Sequence, residues 1–271
     1  FNKLAVRAVP SSSFNVAIQL LAAAVISRGL GIAGFVDCPG LQTKKVKQFL
    51  PVTILFTLCL YTNVKALSGT SVNTLIVTRA STPIFVAVMD VVFLRTGWPS
   101  LMTWSSLVAI FVGAYLYALT DDGFSPGSYF WLGIYLVSLC TEMVYVKHIV
   151  DSVEMTTWER VYYNNLLGLP CSVLFGVAMN EFSSVKAEMF TFGTCYLILL
   201  TCFVSVAISF AGFNARKVMS ATAFTVLGVA NKAGSVILSA LLIADKVQPI
   251  SYVCLFLCIF ASTLFSQFKS T

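Results

Sequence analysis

Apolar residues run through this chain in stretches of about twenty, separated by short polar connections, with neither the alternation of a half-buried strand nor the single polar face of a surface helix. About nine such stretches are predicted as membrane-spanning helices, over residues 13 to 35, 49 to 66, 71 to 94, 101 to 120, 128 to 149, 159 to 179, 191 to 213, 219 to 243 and 249 to 268. Chain breakers stand between them: Cys38-Pro39-Gly40, Gly97-Trp98-Pro99, Asp121-Asp122-Gly123, and Pro249 after Asp245-Lys246. The stretches are too continuous for the alternating strands of an outer-membrane barrel. The expected fold class is therefore an all-α integral membrane protein, a polytopic helical bundle embedded in a lipid bilayer.

Composition strengthens this reading. Hydrophobic residues make up 58% of the chain and charged residues 10%, against roughly 25% charge in soluble domains, and the mean hydropathy is +0.88. The net charge of +6 would point to nucleic acid in a soluble protein, but here it is distributed by side. Lys44, Lys45, Lys47, Arg95, Lys147, Arg160, Arg216, Lys217 and Lys269 fall in or beside alternate connections, and Asp121, Asp122, Glu181, Glu188 and Asp245 in the others. The positive-inside rule then makes the first set cytosolic, with the C-terminus, and implies no nucleic-acid partner. The 8 cysteines form no CxxC pair and His148 is the only histidine, so neither a metal site, a cofactor nor a disulfide framework is implied.

On this topology Phe1 lies on the lumenal side, without a preceding Met, and the chain reads as one whose first helix is missing. Ten helices would be the complete count, arranged as two inverted five-helix repeats within a single transporter domain. Residues 1–120 would be the remainder of the first half and 121–271 the second half. Each half then places a cation in its fourth helix after a run of small and hydroxyl residues: Arg79 after Ser71-Val-Asn-Thr-Leu-Ile-Val-Thr78, and Lys232 after Ser220-Ala-Thr-Ala-Phe-Thr-Val-Leu-Gly-Val-Ala-Asn231.

Charges inside a membrane helix cost several kcal/mol when they face lipid and mark functional sites by default. Lys232 lies midway along its stretch, beyond snorkelling reach of either surface, and needs an anion. Ser220, Phe224, Gly228 and Lys232 follow one helical face at a spacing of four, where Gly228 serves either to admit a ligand or to pack a neighbouring helix. Arg79 precedes Thr82 and Pro83 by about one turn. It faces either a ligand or a structural carboxylate, with Glu142 and Asp90 the candidates. Tyr162-Tyr163-Asn164-Asn165 puts two adjacent carboxamides in an apolar helix, groups whose paired donor and acceptor suit a nucleobase edge or a neighbouring helix. Ser205, Ser209 and Gly212 make a small polar groove on the helix before the Lys232 helix, although a membrane serine also bonds its own backbone readily.

Together these residues are recognisable. Gly228-Val-Ala-Asn231-Lys232 is similar to the GALNK motif of Golgi GDP-sugar transporters, and Tyr162-Tyr163-Asn164-Asn165 to their FYNN motif, in the expected order and spacing. Their flanks, Val72 to Arg79, Thr141 to His148, Ile208 to Arg216 and Ser220 to Thr225, resemble most closely the plant-type GDP-fucose transporters of the nucleotide-sugar/triose-phosphate family, within the drug/metabolite transporter superfamily. The resemblance covers nearly the whole chain. It implies an antiporter that brings GDP-sugar into the Golgi lumen in exchange for GMP. It also implies that Asn164 and Asn165 face guanine with help from Ser209, that Lys232 holds phosphate, and that Gly228 and Phe224 border the ribose and sugar. Arg79 matches the cation kept in the family's fourth helix. The sequence departs from the pattern at Tyr162, which replaces Phe, at Val229 and Ala230, which replace Ala-Leu, and at Phe224, where GDP-mannose carriers often have Tyr. The lost hydroxyl at Phe224 favours GDP-fucose over GDP-mannose.

Other readings fit these residues less well, a plain structural membrane protein because it would not need two cations inside its helices. A sugar-phosphate or UDP-sugar antiporter of the same superfamily is disfavoured by the paired asparagines. A retinal-type receptor using Lys232 conflicts with the number of spans and with Arg79. An enzyme would need a nucleophile with its base, or a metal cluster, and the chain offers neither. A homodimer is left open by the sequence.

Overall fold

The computed structural model describes residues 5, 8–67, 72–118, 129–243 and 260–261. Eight long helices follow one another, with no strand among the described residues: α1 Ser12–Ile32, α2 Thr43–Leu67, α3 Val72–Phe93, α4 Leu101–Ala118, α5 Tyr129–Ser152, α6 Thr157–Ala178, α7 Phe192–Val218 and α8 Ala221–Ile243. Two short 3₁₀ turns, Glu181–Ser184 and Ala187–Met189, link α6 to α7. Four of the helices, α1, α5 (from Phe130), α6 and α7, are long and apolar enough to cross a membrane. The predicted span over 249 to 268 lies outside the described residues apart from 260 and 261, as do Asp121, Asp122, Asp245, Lys269, Cys254 and Cys258.

Burial is distributed as lipid solvation demands. On α1 the inward face holds Ser13, Asn15, Gln19, Ala23, Ala24 and Ser27, while Leu21, Val25 and Ile32 point outward. A water-soluble helix would show the opposite arrangement. The polar side chains inside are satisfied locally where they bond at all: Asn15 Nδ2 donates to Val9 O at 3.0 Å and to Ser11 O at 2.8 Å, and Thr62 Oγ1 donates to Leu58 O at 2.8 Å.

Helix ends differ from the hydropathy boundaries in a consistent way. The second span was predicted from residue 49, but α2 begins at Thr43 and takes in Lys44, Lys45 and Lys47. The seventh was predicted to end at 213, yet α7 runs to Val218 with Arg216 and Lys217 in its last turn. Hydropathy marks where apolar residues stop, whereas the hydrogen-bond ladder continues into charged residues that find partners. The cations of the last α7 turn also suit the negative end of that helix dipole.

The chain divides into two compact units. One comprises Phe1–Thr57 and Ile149–Val218, the other Leu58–His148 and Met219–Thr271. In the first unit α1 packs along α6, with α7 against both. One end of this pair is closed by Glu181, whose Oε2 accepts from the Ser13 backbone N–H at 2.8 Å. The other end is closed by the 33–42 connection. There Gly31 meets the returning chain so closely that an added Cβ would fall 2.7 Å from Cys38 O and 2.8 Å from Cys38 Cβ. Gly31→Ala must therefore push that connection away, at about 1–3 kcal/mol. Gly29 has nothing within 4 Å of the same atom, so Gly29→Ala serves as the control. In detergent, the Gly31 variant should melt at a clearly lower temperature than the Gly29 variant, and equal melting would remove the close-approach argument.

In the second unit, α3 packs against α4 and α8. Its core uses small side chains where helices approach, with Ala87, Leu107, Ile110, Ala223, Val226 and Ala261 in one cluster and Val86, Cys140, Val144 and Ala221 in another.

Candidate functional site

The candidate residues fall into two groups, one in each unit. In the first unit, Tyr162, Tyr163, Asn164 and Asn165 occupy the second turn of α6, and Ser209 lies on α7. The start of α6 is unusually well fixed. Thr156 and Glu159 form a capping box: the Thr156 side chain accepts from Glu159 N–H at 3.1 Å, and Glu159 Oε2 accepts from Thr156 N–H at 3.1 Å. Glu159 Oε1 also takes the Lys45 ammonium at 2.8 Å. Thr156 Oγ1 donates to Asp37 O at 2.6 Å, the Cys38 thiol to Trp158 O at 3.9 Å, and Arg28 Nη1 to Cys38 O at 2.6 Å. Burial pushes the Cys38 thiol up from its ordinary pKa, against the lowering influence of Arg28, so it stays a neutral donor.

Tyr163 completes this clasp. Its ring is fully buried, packed against Phe49 at a centroid distance of 6.3 Å. Its hydroxyl accepts from Gln42 N–H at 2.7 Å and donates to Gly40 O at 3.5 Å. The motif's second tyrosine thus holds the 33–42 connection. Tyr162, half-buried, stands edge-on to it at 5.8 Å.

The two asparagines point differently because consecutive helix residues are rotated by about 100°. Asn165 is 1% exposed, and its Nδ2 donates to Val161 O, one turn back, at 2.7 Å. Asn164 is half-buried. The Trp158 and Phe210 rings pack tilted at 36° with 4.6 Å between centroids, which brings the half-buried Ser209 to the level of the first turn of α6. Asn165 is about two turns, or 10 Å of helical rise, beyond Trp158.

The second group lies on α3 and α8. Arg79 is held by neutral groups: its Nε donates to the Tyr135 hydroxyl, its Nη2 to Asn63 Oδ1 at 3.2 Å, and its guanidinium stands 5.6 Å from the Tyr135 ring centroid. Pro83 inside α3 has no N–H for the carbonyl of Arg79, which leaves that acceptor free of the helix ladder. The expected alternative partner Asp90 is engaged elsewhere. Its Oδ2 accepts from Thr222 N–H at 3.0 Å and from Thr222 Oγ1 at 2.6 Å, at the start of α8. Of the two carboxylates expected as candidates for Arg79, Asp90 is drawn instead to α8, which offers unsatisfied N–H groups and the positive end of a dipole; Glu142 is buried on α5, the helix that carries Tyr135.

From that tie α3 runs backward as α8 runs forward, since Ile84 and Ala87 share one packed cluster with Ala223, Val226 and Val229. Arg79 is about three turns back from Asp90, and Lys232 about three turns on from Thr222. The antiparallel pair therefore brings the backbones of residues 79 and 232 to the same height. Phe224 and Gly228 lie between, both half-buried; Asn231 is exposed. At Gly228 an added Cβ would meet nothing within 4 Å among the described residues. The side chain of Lys232 is outside the described residues. Asn63 and Tyr135 were missed from the sequence, although a carboxamide in an apolar helix was a signal available at Asn63.

A helical bundle with four helices long and apolar enough to cross a membrane, and with polar side chains turned inward, has the make-up of a membrane transporter. The match to the Triose-phosphate Transporter family extends over residues 1–266, and the chain belongs to that family. It is similar to GDP-fucose transporter 1 of Arabidopsis thaliana, 37% identical over 264 residues, which cover 94% of this chain and 76% of that protein. It is also similar to the GDP-mannose transporter GONST3 of Arabidopsis thaliana, 38% identical over 227 residues covering 81% of this chain and 61% of that one. A solved crystal structure with 11% sequence identity superposes with a TM-score of 0.74, covering 97% of this chain and 90% of its own, and so shares the fold.

Proposed function

We propose that the chain is a nucleotide-sugar antiporter of the Golgi membrane, importing GDP-sugar into the lumen in exchange for GMP by alternating access, with its C-terminus cytosolic. GDP-fucose is favoured, GDP-mannose next. The observation that carries this reading is the 37% identity to a GDP-fucose transporter over 94% of the chain; the motif resemblance at Asn164, Asn165 and Lys232 supports it.

In this proposal Asn164 and Asn165 face guanine, Asn165 with the amide groups that its bond to Val161 O leaves over; Tyr162 borders that wall, Tyr163 backs it from the buried side, and Ser209 adds a hydroxyl from the level of the first turn of α6. Lys232 holds the phosphates, with Arg79 beside it on the neighbouring helix. Phe224, Gly228 and Asn231 border the ribose and sugar. Each group of residues is held by its own unit. Exchange rather than net flux follows from charge. An empty carrier closing around buried unpaired cations bears several kcal/mol of desolvation, which either nucleotide removes. GDP-sugar and GMP each carry about two negative charges near neutral pH, so exchange is near electroneutral.

The two inverted five-helix halves, 1–120 and 121–271, remain part of the proposal. They are supported by the make-up of the compact units: α1 and α6, then α2 (as far as Thr57) and α7, belong to one, and α3 and α8 to the other. Helices five apart in order thus share a unit, as equivalent helices of two intertwined repeats would.

The test is counterflow in proteoliposomes preloaded with GMP, comparing GDP-fucose, GDP-mannose, UDP-galactose and triose phosphate. Uptake of the GDP-sugars alone is expected, and preference for UDP-galactose or triose phosphate would overturn the reading. Asn165→Ala should weaken GMP competition about tenfold, the worth of one good hydrogen bond. Unchanged competition would remove the guanine role.

A further inference from the structure

We infer that Asp90 is a positioning residue of the phosphate site: its carboxylate sets the register of α3 against α8, and with it the spacing of Arg79 and Lys232. The inference rests on the proposed function above. Asp90 is 4% exposed and lies in the last turn of α3, where the helix dipole disfavours an anion. It is held there from both sides. Its backbone carbonyl accepts from Leu94 N–H at 3.1 Å and Thr96 N–H at 3.3 Å, closing α3 around Arg95 at φ 53. Its side chain crosses to α8 and caps it through Thr222.

The next N–H of α8, that of Ala223, is taken by Ser220 Oγ at 3.2 Å, and that of Phe224 by Ser220 O at 3.0 Å. Asp90 thus supplies the part of the α8 cap that Ser220 does not. The second carboxylate oxygen, Oδ1, is buried without a hydrogen-bond partner among the described residues, so the bonds to Thr222 are what compensates this charge. Such a group tolerates little displacement: a slip of one residue moves either cation by about 1.5 Å along its helix and 100° around it. The tie lies about three turns from both Arg79 and Lys232, too far to touch a phosphate that they hold. Its effect on substrate is through helix position.

Counterflow kinetics of Asp90→Ala, Asp90→Asn and Thr222→Val, with GMP and guanosine as competitors, test the inference. Asp90→Ala is expected to raise KM for GDP-sugar and the inhibitory concentration of GMP about tenfold, leaving guanosine, which has no phosphate, unaffected. Asp90→Asn keeps an acceptor oxygen for Thr222 and should restore most of the affinity. Thr222→Val removes the hydroxyl donor but keeps the backbone N–H on Asp90 Oδ2, and should raise KM less than Asp90→Ala does. A fall in maximal rate with KM unchanged in all three single variants, or equal losses toward GMP and guanosine, would overturn the positioning role. Lys232→Ala separates the two levels. If it impairs phosphate-dependent competition while the Asp90 and Thr222 variants do not, this inference alone falls. If Lys232→Ala is itself without effect, the phosphate site falls and the inference with it.

Discussion

Lys232→Ala is expected to abolish GDP-sugar counterflow in GMP-loaded proteoliposomes while the protein remains folded. Removing one partner of a desolvated charge pair typically costs 2–5 kcal/mol or more, because the other charge is left without compensation. At the lower end that is about a thirtyfold loss of affinity, and at the upper end several thousandfold. The lysine's own burden on folding is of the opposite sign. A cation midway along a membrane helix is expensive without its anion, so the alanine variant should melt in detergent at least as high as the wild type when no nucleotide is present. The wild type alone should gain stability on adding GMP, by an amount that grows with concentration. Normal uptake by the variant, or equal stabilisation of both proteins by GMP, would remove Lys232 from the site.

The spans were legible because lipid imposes long apolar stretches, and seven of the eight described helices begin within two residues of the predicted starts. Helix α2 starts six residues early because Lys45, one turn before the apolar run, is paired with Glu159, more than a hundred residues away along the chain. No local pattern could reveal that pairing. The capping box that places Glu159 was readable as Thr156-x-x-Glu159, but not the second use of its carboxylate. Arg79 shows the same limit. Charge pointed to an acid or a ligand, and the partners described for it are a phenol, a carboxamide and a ring face. The adjacent carboxamides were visible as a motif, but not their unequal exposure, which follows from the rotation between neighbouring helix positions and from what packs on each face of α6.

The second large effect is expected at Glu159, which does three things with one side chain. It closes the capping box on α6, places a negative charge at the positive end of that helix, and neutralises Lys45, all at 2% exposure. The cap is worth about 1 kcal/mol, and breaking a buried ion pair on one side 3–5 kcal/mol. Since the Lys45 side chain is 20% exposed and part of its charge stays solvated, the lower end applies, giving about 3–4 kcal/mol in all for Glu159→Ala. Glu159→Gln keeps an acceptor for the Thr156 N–H but loses the charge and should fall in between. The double variant Lys45→Met with Glu159→Gln should recover part of the loss, because no unpaired charge is left behind. Melting in detergent of the wild type, Glu159→Ala, Glu159→Gln, Lys45→Met and the double variant gives the order, and no coupling in the cycle of Lys45→Met with Glu159→Gln would show that the ion pair contributes nothing. Transport adds the link to function. Glu159 precedes Asn165 by less than two turns on one helix, and its clasp with Tyr163 holds the 33–42 connection against that helix. If the clasp orients the base-reading face of α6, Glu159→Gln should raise the inhibitory concentration of GMP at temperatures well below its melting point. If it only stabilises the fold, GMP competition at those temperatures will match the wild type.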